Sequence, residues 1–406
     1  MKKNAIILGG GISGLAAAIK SKNLGYHVTL IEKKSICSHL GGGIDIHPNG
    51  VKILFSLGIE SQLRKLTSSN TREITISNGK GKTLNRVPLS IFEKDPAYPL
   101  MSFFRQDLLK ILFEQADIDE VYENTECTDI WIKEDKVEVQ LDGKNPRISG
   151  DILIGADGIN SIARKTLFPH VQKQYLGHLS IGGSISRKYY RHNYVHDLQR
   201  TCVVFPCTQE SCHTVMFMPL PEGFLKSQTS SSEERVMLLH GWSDEVDEIL
   251  NHLDSSNRFA VESYEIPPLD FHAKGRVFLV GDAAHAMSPL GALATNLALE
   301  DVEHLNSCLS ITSFIDEAAY LYNKMSIPRA KKYRDFSHRF LLPPFTSHGP
   351  EDYTRRIARI EQQDANQVFE ALTSLTQENL EAPTHQQNIY QLSEGTLDEK
   401  ISLCAH

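Results

Sequence analysis

A strand that runs into Gly281-Asp282 and then into a helix is the part of this chain whose residue types are best suited to chemistry. The apolar run 277–280 predicts the buried strand, and the apolar spacing of 296–301 predicts the helix. Such a turn can hold the Asp282 carboxylate against a sugar hydroxyl and direct the amides of a helix N-terminus at an anion. The turn is common by itself, so a simple helix-capping role for Asp282 stays an open alternative.

A glycine-rich turn near the N-terminus has the spacing of a dinucleotide-binding loop. Gly9, Gly11 and Gly14 fill the pattern G-x-G-x-x-G between the apolar strand 5–8 and a helix that follows. The three glycines serve a tight turn, contact of the backbone with a pyrophosphate, and close packing of the helix on the strand. This arrangement predicts a site for a dinucleotide.

An acidic residue supports the same interpretation at the adenosine end of the ligand. The apolar strand 27–31 delivers Glu32 eighteen residues after Gly14, where a carboxylate binds a ribose 2′-hydroxyl. A negative side chain there disfavours the 2′-phosphate of NADP. The ligand bound at this turn is therefore predicted to be FAD or NAD.

Three other segments contain residues that could approach the same ligand. The glycines of 41–43 imply that the backbone passes close to something flat or large, although a flexible surface loop is the alternative. Arg105 opens a helix, where its charge opposes the helix dipole, which favours its pairing with cofactor phosphates or ribose over the alternative of an exposed first-turn arginine. The turn at Asp157-Gly158 follows a second apolar strand and precedes a helix that starts at Ser161.

Composition and charge exclude several classes of function. The 42 basic and 50 acidic residues give a net charge of −8, which does not predict nucleic-acid binding. Residues 346–406 supply −6 of that charge, with ten acidic against four basic side chains, and predict a solvated appendage. Since no apolar run approaches the roughly 18 residues that a membrane span needs, we expect no transmembrane segment.

The cysteines favour a reducing compartment. They number seven, an odd count, and are scattered along the chain, which predicts reduced thiols in a cytoplasmic enzyme rather than disulfides. Cys202, Cys207 and Cys212 are close in sequence, but they lack the paired C-x-x-C spacing of zinc sites and lie in strand-like sequence. No metal site is therefore predicted.

Three stretches occur in one order along the chain, each with a characteristic set of residues. They are Gly9 to Gly14 with Glu32, Gly155 to Gly158 with Ser161 and Arg164, and Gly281 to His285 with Pro289. Arg105 and the segment 43–49, Gly-Ile-x-x-x-Pro-Asn, accompany them. Together they resemble the group A flavoprotein monooxygenases, which are the para-hydroxybenzoate hydroxylase-like and salicylate hydroxylase-like aromatic hydroxylases. The likeness spans roughly residues 4 to 340.

The resemblance implies that the cofactor is FAD and that a defined set of residues binds it. Asp282 would bind the flavin chain, Asp157 would lie where the pyrophosphate and a transient pyridine nucleotide compete, and Pro289 would lie beside the reactive edge of the ring. The residues predicted to bind FAD are Gly9, Gly11, Ser13, Gly14, Glu32, Lys33, Gly43, Ile44, Arg105, Asp157, Gly281, Asp282, Pro289, Ala294, Thr295 and Asn296. Those predicted to contact substrate are Asp45, His47, Phe205 and Phe217. For Asp45 and His47, a loop or capping role stays open.

The same resemblance implies a reaction in which the cofactor, rather than a side chain or a metal, carries the chemistry. NADH or NADPH would reduce FAD, O2 would add at C4a of the flavin, and the hydroperoxide would pass one oxygen atom to an aromatic or polycyclic small molecule. The alternatives are an FAD-dependent reductase or dehydrogenase of the same fold, and a non-catalytic flavin-binding protein. A flavin-dependent halogenase would need a Trp-x-Trp-x-Ile-Pro stretch, whereas Trp131 and Trp242 are the only tryptophans.

One departure from the family pattern affects the loop that would cap the flavin. After Pro289 the family has two residues and then Gly-Gln-Gly, where this chain has Ala292-Leu293-Ala294. An alanine held at positive φ would cost on the order of 1 kcal/mol or more. The alternative is that these alanines start the helix one turn early at no cost.

The expected fold is a mixed α/β (α+β) architecture. We predict a Rossmann-like FAD-binding domain from residues 1–70, 100–174 and 269–345, an antiparallel-sheet substrate domain from residues 71–99 and 175–268, and a C-terminal helical acidic extension from residues 346–406. The protein is expected to be a monomer or a homodimer.

Smaller features of the substrate domain and of the C-terminal third are also predicted. Asn78-Gly79 predicts a hairpin turn. A polar loop is predicted at 228–234, before a helix at 235–240, and the pattern of 301–342 is helical. Met216 or Met218 is expected to line the substrate pocket.

Overall fold

The computed structural model describes residues 2–36, 42–67, 73–92, 95–143, 147–186, 192–197, 200–227, 240–253, 258–342, 350–362 and 365–376. The polar loop predicted at 228–234 lies outside these residues, and so does the helix predicted at 235–240 apart from its last residue.

The strands of the described residues belong to four sheets. They are β1 (Asn4–Leu8), β2 (His27–Ile31), β3 (Gly43–Ile46), β4 (Glu73–Asn78), β5 (Thr83–Pro88), β6 (Met101–Phe104), β7 (Glu120–Tyr122), β8 (Cys127–Ile132), β9 (Val137–Leu141), β10 (Ile148–Gly150), β11 (Ile152–Gly155), β12 (Gln174–Ile185), β13 (His192–His196), β14 (Thr201–Pro206), β15 (Cys212–Pro219), β16 (Phe259–Glu265), β17 (Ala273–Lys274) and β18 (Val277–Leu279).

The helices surround these sheets and connect them. They are α1 (Ile12–Asn23), α2 (Pro48–Ser56), α3 (Glu60–Leu66), α4 (Arg105–Ala116), α5 (Ile162–Leu167), α6 (Phe224–Ser227), α7 (Asp244–Asn251), α8 (Asp282–His285), α9 (Leu293–Ile311), α10 (Ile315–Phe336), α11 (Pro350–Gln362) and α12 (Ala365–Thr376). Short 3-10 turns lie at Leu89–Phe92 and Leu290–Ala292, and a π-helical turn at Ser337–Leu341 continues α10.

A six-stranded sheet in the order β17-β18-β11-β1-β2-β7 gathers the predicted cofactor turns. β18, β11, β1, β2 and β7 are parallel, while β17 is antiparallel. Alternate residues of β1 face two cores, with Ile7 in one and Ile6 in the other, which explains its unbroken apolar run. Because parallel strands end at one edge of a sheet, the turns that follow β1, β2, β11 and β18 meet there.

A seven-stranded sheet in the order β16-β12-β15-β14-β13-β4-β5 forms the second large layer. Its pairs are antiparallel except for β13 with β4. On β15, Val215 and Phe217 face a cavity, whereas Met216 is fully buried on the other face in a core that includes α7. Since successive side chains of a strand point to opposite faces, the prediction that Met216 or Met218 lines the pocket was wrong by one position.

The fold class predicted from the sequence is confirmed as mixed α/β, and two details of the prediction were wrong. β4 and β5 form a hairpin, but its loop covers 79–82, with positive φ at Gly81 rather than at Gly79. The helical pattern of 301–342 is broken into α9 and α10 around Phe314, which is 74% exposed. Apart from Gln174 at the start of β12, the strands of the two large sheets fall inside the ranges predicted for the two domains, while the domain boundaries themselves stay a prediction.

The C-terminal segment differs from the solvated appendage expected from its charge. In α12, Leu372 is 6% exposed and packs in a hydrophobic cluster with Met287, Tyr333 and Phe336. Thr373 and Thr376 are buried as well. A helix was expected in this segment, but the acidic composition gave no indication of its contact with the core. Among the helices of the described ranges, none has both the length and the apolar character that crossing a membrane takes.

Candidate functional site

The glycines of the turn after β1 have different structural roles. Gly9 has a φ of 102°, and its amide donates to the Ile31 carbonyl at 2.8 Å. A Cβ on Gly14 would stand 1.9 Å from the Gly9 carbonyl oxygen, so Gly14 allows α1 to pack on this turn. A Cβ on Gly11 would have Arg105 Nη2, at 3.8 Å, as its nearest neighbour outside the turn. Gly11 therefore leaves room for a ligand.

Glu32 follows β2 and is turned towards the same glycine-rich turn. It is 6% exposed, its Oε2 accepts from the Gly10 amide at 2.7 Å, and its Oε1 accepts from the Lys34 amide at 2.9 Å. Lys33, the next residue, is exposed. The carboxylate thus reaches the turn that the sequence singled out, and its contact with a ribose hydroxyl stays a prediction.

Arg105 provides the observation that fits a pyrophosphate best. β6 delivers it to the first position of α4, and its amide donates to the Gly42 carbonyl at 3.1 Å. Its guanidinium lies beside Gly11, and its Nε is buried with no hydrogen-bond partner among the residues that the structure describes. An unpaired buried donor of this kind costs free energy, and a phosphate oxygen next to Gly11 would pair with it. The residues present at this edge of the sheet therefore fit FAD.

Asp157 caps a helix in addition to any contact with the cofactor. Its Oδ2 accepts from the amides of Ile162 and Ala163 at 2.6 and 3.3 Å, and the Ser161 hydroxyl accepts from the Arg164 amide at 2.9 Å. Burial raises the pKa of the Asp157 carboxyl, and its hydrogen bonds with Ser161 and the helix amides oppose that shift. Asp157 therefore lies at the correct edge of the sheet, but its Oδ2 is directed at α5.

Arg164 joins two of these turns, a role that the sequence did not indicate. Its guanidinium donates to the carbonyls of Ile159 at 2.5 Å and Ala283 at 3.0 Å, and approaches that of Asp282 at 3.5 Å. Burial lowers the pKa of Arg164, while Asp157 and Asp282 act in the opposite direction. The side chain ties the turn after β11 to the turn after β18, although the two are more than a hundred residues apart.

The Gly281-Asp282 turn is held from behind so that Asp282 faces outward. Gly281 has a φ of 60°, and a Cβ on it would stand 3.1 Å from Ser13 Oγ of α1. Its amide donates to Asp301 Oδ2 at 2.8 Å, and His285 Nε2 contacts the same oxygen at 2.5 Å. Burial disfavours the charged form of His285, but the neighbouring Asp301 carboxylate raises its pKa above the usual value. The turn is thereby fixed to α1 and α9, with the Asp282 side chain exposed.

The loop from Pro289 to Asn296 leads to the start of α9. Pro289 is exposed, and Gly291 and Ala292 have φ values of 74° and 55°. Asn296 Oδ1 accepts from the His47 amide at 2.9 Å, and its Nδ2 donates to the Ala292 carbonyl at 2.7 Å. The helix begins at Leu293, three residues before Asn296, and so contains Ala294. Ala292, just before the helix, has the left-handed conformation that a glycine adopts more readily, so this start has a cost.

Replacing Ala292 by glycine is therefore expected to stabilise the protein. Relief of the left-handed conformation, about 1–2 kcal/mol, exceeds the extra chain entropy of glycine, about 0.5–1 kcal/mol. Ala294→Gly, two residues later and inside α9, is the matched control and is expected to destabilise by about 0.5–1 kcal/mol. Denaturant unfolding of the two variants measures both values, and effects of the same sign would contradict the assignment of strain to Ala292.

A cavity of about 430 Å³ joins these turns to one face of the seven-stranded sheet. Arg105, Asp282, Pro289 and Thr295 lie at its cofactor side. The sheet contributes alternate residues from adjacent strands, as expected for one face. Its lining side chains are Ile74, Ser180, Tyr194, Val203, Phe205, His213, Val215, Phe217, Phe259 and Val261.

The segment from Gly43 to His47 forms another wall of the cavity. A Cβ on Gly43 would stand 2.5 Å from His213 Cβ and 2.8 Å from the Phe205 ring, so glycine permits this close approach. Asp45 Oδ1 accepts from the Ser102 hydroxyl at 2.6 Å. His47 Nε2 lies 3.0 Å from the Gly291 carbonyl oxygen. The segment is thus held against both the sheet and the Pro289 loop.

Two further polar side chains of the cavity, those of His213 and Tyr194, favour their neutral forms. His213 stacks on Phe259 with ring centroids 5.9 Å apart, and burial lowers its pKa to about 3. Burial, with the Asp45 charge nearby, raises the pKa of Tyr194. Neither His213 nor Phe259 was singled out from the sequence. The signal for them was weak, because alternation predicts that a strand has two faces but not which face lines a pocket.

A buried charged network lies behind the cavity. Arg329 Nε donates to Glu300 Oε2 at 2.5 Å, and its Nη2 donates to Glu300 Oε1 at 2.9 Å. The same Oε1 accepts from the Tyr333 hydroxyl at 2.6 Å and from Asn49 Nδ2. Arg329 Nη2 also donates to the Leu375 carbonyl of α12 at 2.5 Å. One ion pair therefore connects the N-terminus of α2, the two long helices and the C-terminal helix.

The structure brings most of the predicted residues to one place. Gly43, Ile44, Asp45, His47, Arg105, Phe205, Phe217, Asp282, Pro289, Ala294 and Thr295 line the cavity. Gly9, Gly11, Ser13, Gly14, Glu32, Asp157 and Gly281 lie along the sheet edge that leads to it. Asn296 lies behind the lining, where it holds His47. Lys33 is the residue whose side chain makes no described contact with either part.

A dinucleotide turn, a Gly-Asp turn and a sheet-walled cavity that meet at one sheet edge define a flavoprotein oxidoreductase of the Rossmann-like type. Residues 2–314 match the FAD binding domain family. The chain belongs to this family, the flavin-dependent aromatic monooxygenases, as the sequence predicted, and it is an FAD-dependent monooxygenase.

Three individual proteins illustrate the similarity in sequence and in fold. The chain is 28% identical over 360 residues to 3-amino-4-hydroxybenzoate 2-monooxygenase of Streptomyces cremeus, which covers 85% of this chain and 88% of that protein. It is 24% identical over 341 residues to aurachin C monooxygenase/isomerase of Stigmatella aurantiaca, covering 82% and 88%. The fold is similar to that of Klebsiella pneumoniae HpxO complexed with FAD and uric acid, with a TM-score of 0.80, 21% identity, and coverage of 92% of this chain and 97% of HpxO.

Proposed function

We propose that this monooxygenase hydroxylates an aromatic or polycyclic small molecule in the cavity, with NADH or NADPH as reductant and O2 as the oxygen source. The observation that carries the proposal is one cavity lined by both Asp282 and Pro289 of the cofactor turns and by Phe205, Phe217 and Phe259 of the sheet. In the overall reaction, NAD(P)H supplies two electrons, one oxygen atom of O2 replaces a ring hydrogen as hydroxyl, and the other leaves as water.

The residues proposed to hold FAD follow its length along the sheet edge. Glu32 would accept from the adenosine ribose, and Gly11 and Arg105 would contact the diphosphate. Asp282 would accept from the ribityl chain, and the loop 289–296 would lie along the ring. Bound FAD would supply the electron transfer and the oxygen activation. Asp157 is proposed to hold the neighbouring turn in place through α5.

The chain itself is proposed to position the substrate and to exclude water. The apolar walls fit an aromatic ring and keep bulk water away from the reacting atoms. Asp45, oriented by the Ser102 hydroxyl at 2.6 Å, would accept a hydrogen bond from a hydroxyl or amino substituent. His47 is proposed to contribute its ring to the wall while Nε2 holds Gly291. The relatives whose names specify aminohydroxybenzoate, hydroxynicotinate or urate oxygenation support a ring-bearing substrate.

The experiment compares ring-bearing and saturated alcohols on the FAD-loaded enzyme. Phenol, 2-naphthol and 8-hydroxyquinoline are tested against cyclohexanol, with NAD(P)H oxidation, O2 uptake and product mass followed together. We expect at least one aromatic compound to accelerate NAD(P)H oxidation and to gain one oxygen atom, while cyclohexanol does neither. Acceleration without oxygen transfer would favour the reductase alternative, and no response to any ring would contradict the proposal.

Asp45→Asn is expected to weaken the binding of hydroxylated rings. Loss of a charged acceptor for one substrate hydroxyl costs about 1.5 kcal/mol, which is roughly a tenfold rise in KM. The flavin content should stay that of the wild type because the amide keeps the size of the side chain. Steady-state kinetics with the best ring of the panel checks this, and an unchanged KM would remove Asp45 from the substrate contacts.

We propose further that the enzyme acts in the cytoplasm as a monomer or homodimer. The five cysteines of the described ranges are free and buried, as expected of a protein that keeps its thiols reduced. Light scattering of the purified protein measures the oligomeric state.

A further inference from the structure

The C-terminal helix contributes a side chain to the substrate cavity. Leu372 of α12 lines the cavity together with Phe92 and Met287, although the other lining residues come from the sheets and the cofactor loops. It is 6% exposed and belongs to the hydrophobic cluster that contains Leu293 and Tyr333. A leucine in this position closes part of the cavity wall from a segment that is separate from both the sheet and the cofactor turns.

The position of α12 is determined by the buried network rather than by a chance apolar contact. The Leu375 carbonyl, one turn after Leu372, accepts from Arg329 Nη2 at 2.5 Å. Arg329 is fixed in turn by the two carboxylate oxygens of Glu300, at 2.5 and 2.9 Å. Because a charged donor in a buried setting is strongly oriented, the carbonyl it holds fixes the axial position of the helix. The position of Leu372 in the cavity wall is therefore fixed by this contact.

The same carboxylate connects this wall to the cofactor side. Glu300 Oε1 accepts from Asn49 Nδ2, two residues after His47, and the His47 amide donates to Asn296 at 2.9 Å. The segment that carries Asp45 and the helix that carries Leu372 are thus both connected to the Glu300 carboxylate. The distance between these two walls of the cavity is therefore fixed by the protein, and a bound substrate would have to fit between them.

We propose that Leu372 of the C-terminal helix is a specificity-determining residue that sets the size of the ring system accepted in the cavity and excludes water from it. The proposal rests on the monooxygenase function proposed above. A smaller side chain at this position enlarges the cavity, and water that enters allows the activated oxygen to be lost as hydrogen peroxide. In that side reaction, NAD(P)H, a proton and O2 give NAD(P)+ and H2O2, and no atom reaches the substrate.

The test uses the full-length, FAD-loaded enzyme with Leu372→Ala, Leu372→Trp and Leu375→Ala. Leu375 is the matched control because it lies on the same helix and in the same hydrophobic cluster, while it is not among the residues that line the cavity. Its carbonyl, and hence the contact with Arg329, is kept by the substitution. Two readouts are taken: the dissociation constants of phenol and 2-naphthol from the change in flavin absorbance, and the fraction of NAD(P)H oxidation that ends as H2O2.

We expect Leu372→Trp to weaken 2-naphthol binding at least threefold more than phenol binding, and Leu372→Ala to raise the H2O2 fraction at least threefold. Flavin content should equal that of the wild type in both, and Leu375→Ala should change neither readout even where it lowers the thermal stability. If the Leu372 variants match Leu375→Ala in both readouts, Leu372 is a packing residue and the proposal is overturned. A failure of the function itself would be distinct, because the wild type would then bind rings without oxygenating them.

Discussion

Replacement of Gly11 by alanine is expected to give a chain that folds as the wild type does and no longer retains FAD. The backbone of Gly11 is extended, with φ of −78°, so alanine is accommodated without strain. Its Cβ would have Arg105 Nη2, at 3.8 Å, as its nearest neighbour outside the turn, but it would occupy the space next to Arg105 where we propose that the diphosphate lies. A loss of at least about 2.7 kcal/mol, a hundredfold in affinity, is the expected size.

Gly14→Ala provides the contrast that makes this result interpretable. Within α1, alanine would ordinarily be favoured over glycine by about 0.5–1 kcal/mol. Its Cβ would nevertheless stand 1.9 Å from the Gly9 carbonyl oxygen, so the helix cannot remain in place. Gly14→Ala is therefore expected to lose stability as well as FAD. Flavin content per chain measures the loss of FAD binding, and thermal unfolding of the cofactor-free proteins measures the loss of stability. A Gly11→Ala protein that is purified yellow would contradict the proposed position of the diphosphate.

Arg329→Met is expected to lower the free energy of unfolding by about 3–5 kcal/mol, because it leaves the Glu300 carboxylate buried and without its cation. It also releases the Leu375 carbonyl of α12. The double variant Glu300→Gln with Arg329→Met removes the uncompensated charge and should recover part of that loss, because Gln keeps the acceptor for Tyr333.

Lys331→Met is the matched control on the same helix. Lys331 pairs with Asp335 at 2.6 Å, but both side chains are exposed, at 72% and 58%. Such surface pairs contribute about 0–1 kcal/mol, so this variant should unfold close to the wild type. Denaturant midpoints of the wild type and the three variants measure the effect. The buried network would lose its assigned role if Arg329→Met were as mild as Lys331→Met, or if the double variant were no better than the single one.

Some positions could be predicted from the sequence because they depend on local structure. Gly9 and Gly14 serve a turn and a helix within six residues, and the next strand delivers Glu32 to that turn because parallel strands end at one edge. The alanine at position 292, where the family pattern has glycine, could also be recognised from the sequence. The left-handed conformation before a helix is a property of the local backbone. These features can be recognised without knowing how distant parts of the chain meet.

The features that the sequence did not indicate depend on contacts between distant segments. The His47 amide donates to Asn296, which is 249 positions away in the sequence. The structural role of Arg329 likewise becomes apparent only from its ion pair with Glu300. Leu372 lies in a segment whose negative charge suggested an appendage. The apolar spacing of Val368, Leu372 and Leu375 is that of a helix, but such spacing does not specify what the helix packs against. Met216 or Met218 was expected to line the pocket together with Phe217, although they lie on opposite faces of the strand, because alternation along a strand does not specify which face borders a cavity.

A crystal structure of the chain with FAD tests the central claim most directly. The adenine end is expected near Glu32, the diphosphate between Gly11 and Arg105, and the flavin ring in the cavity beside Pro289, facing the aromatic side chains of the seven-stranded sheet. A flavin bound elsewhere, or crystals from FAD-saturated solutions in which this cavity holds only water, would contradict the claim that these turns form one cofactor site.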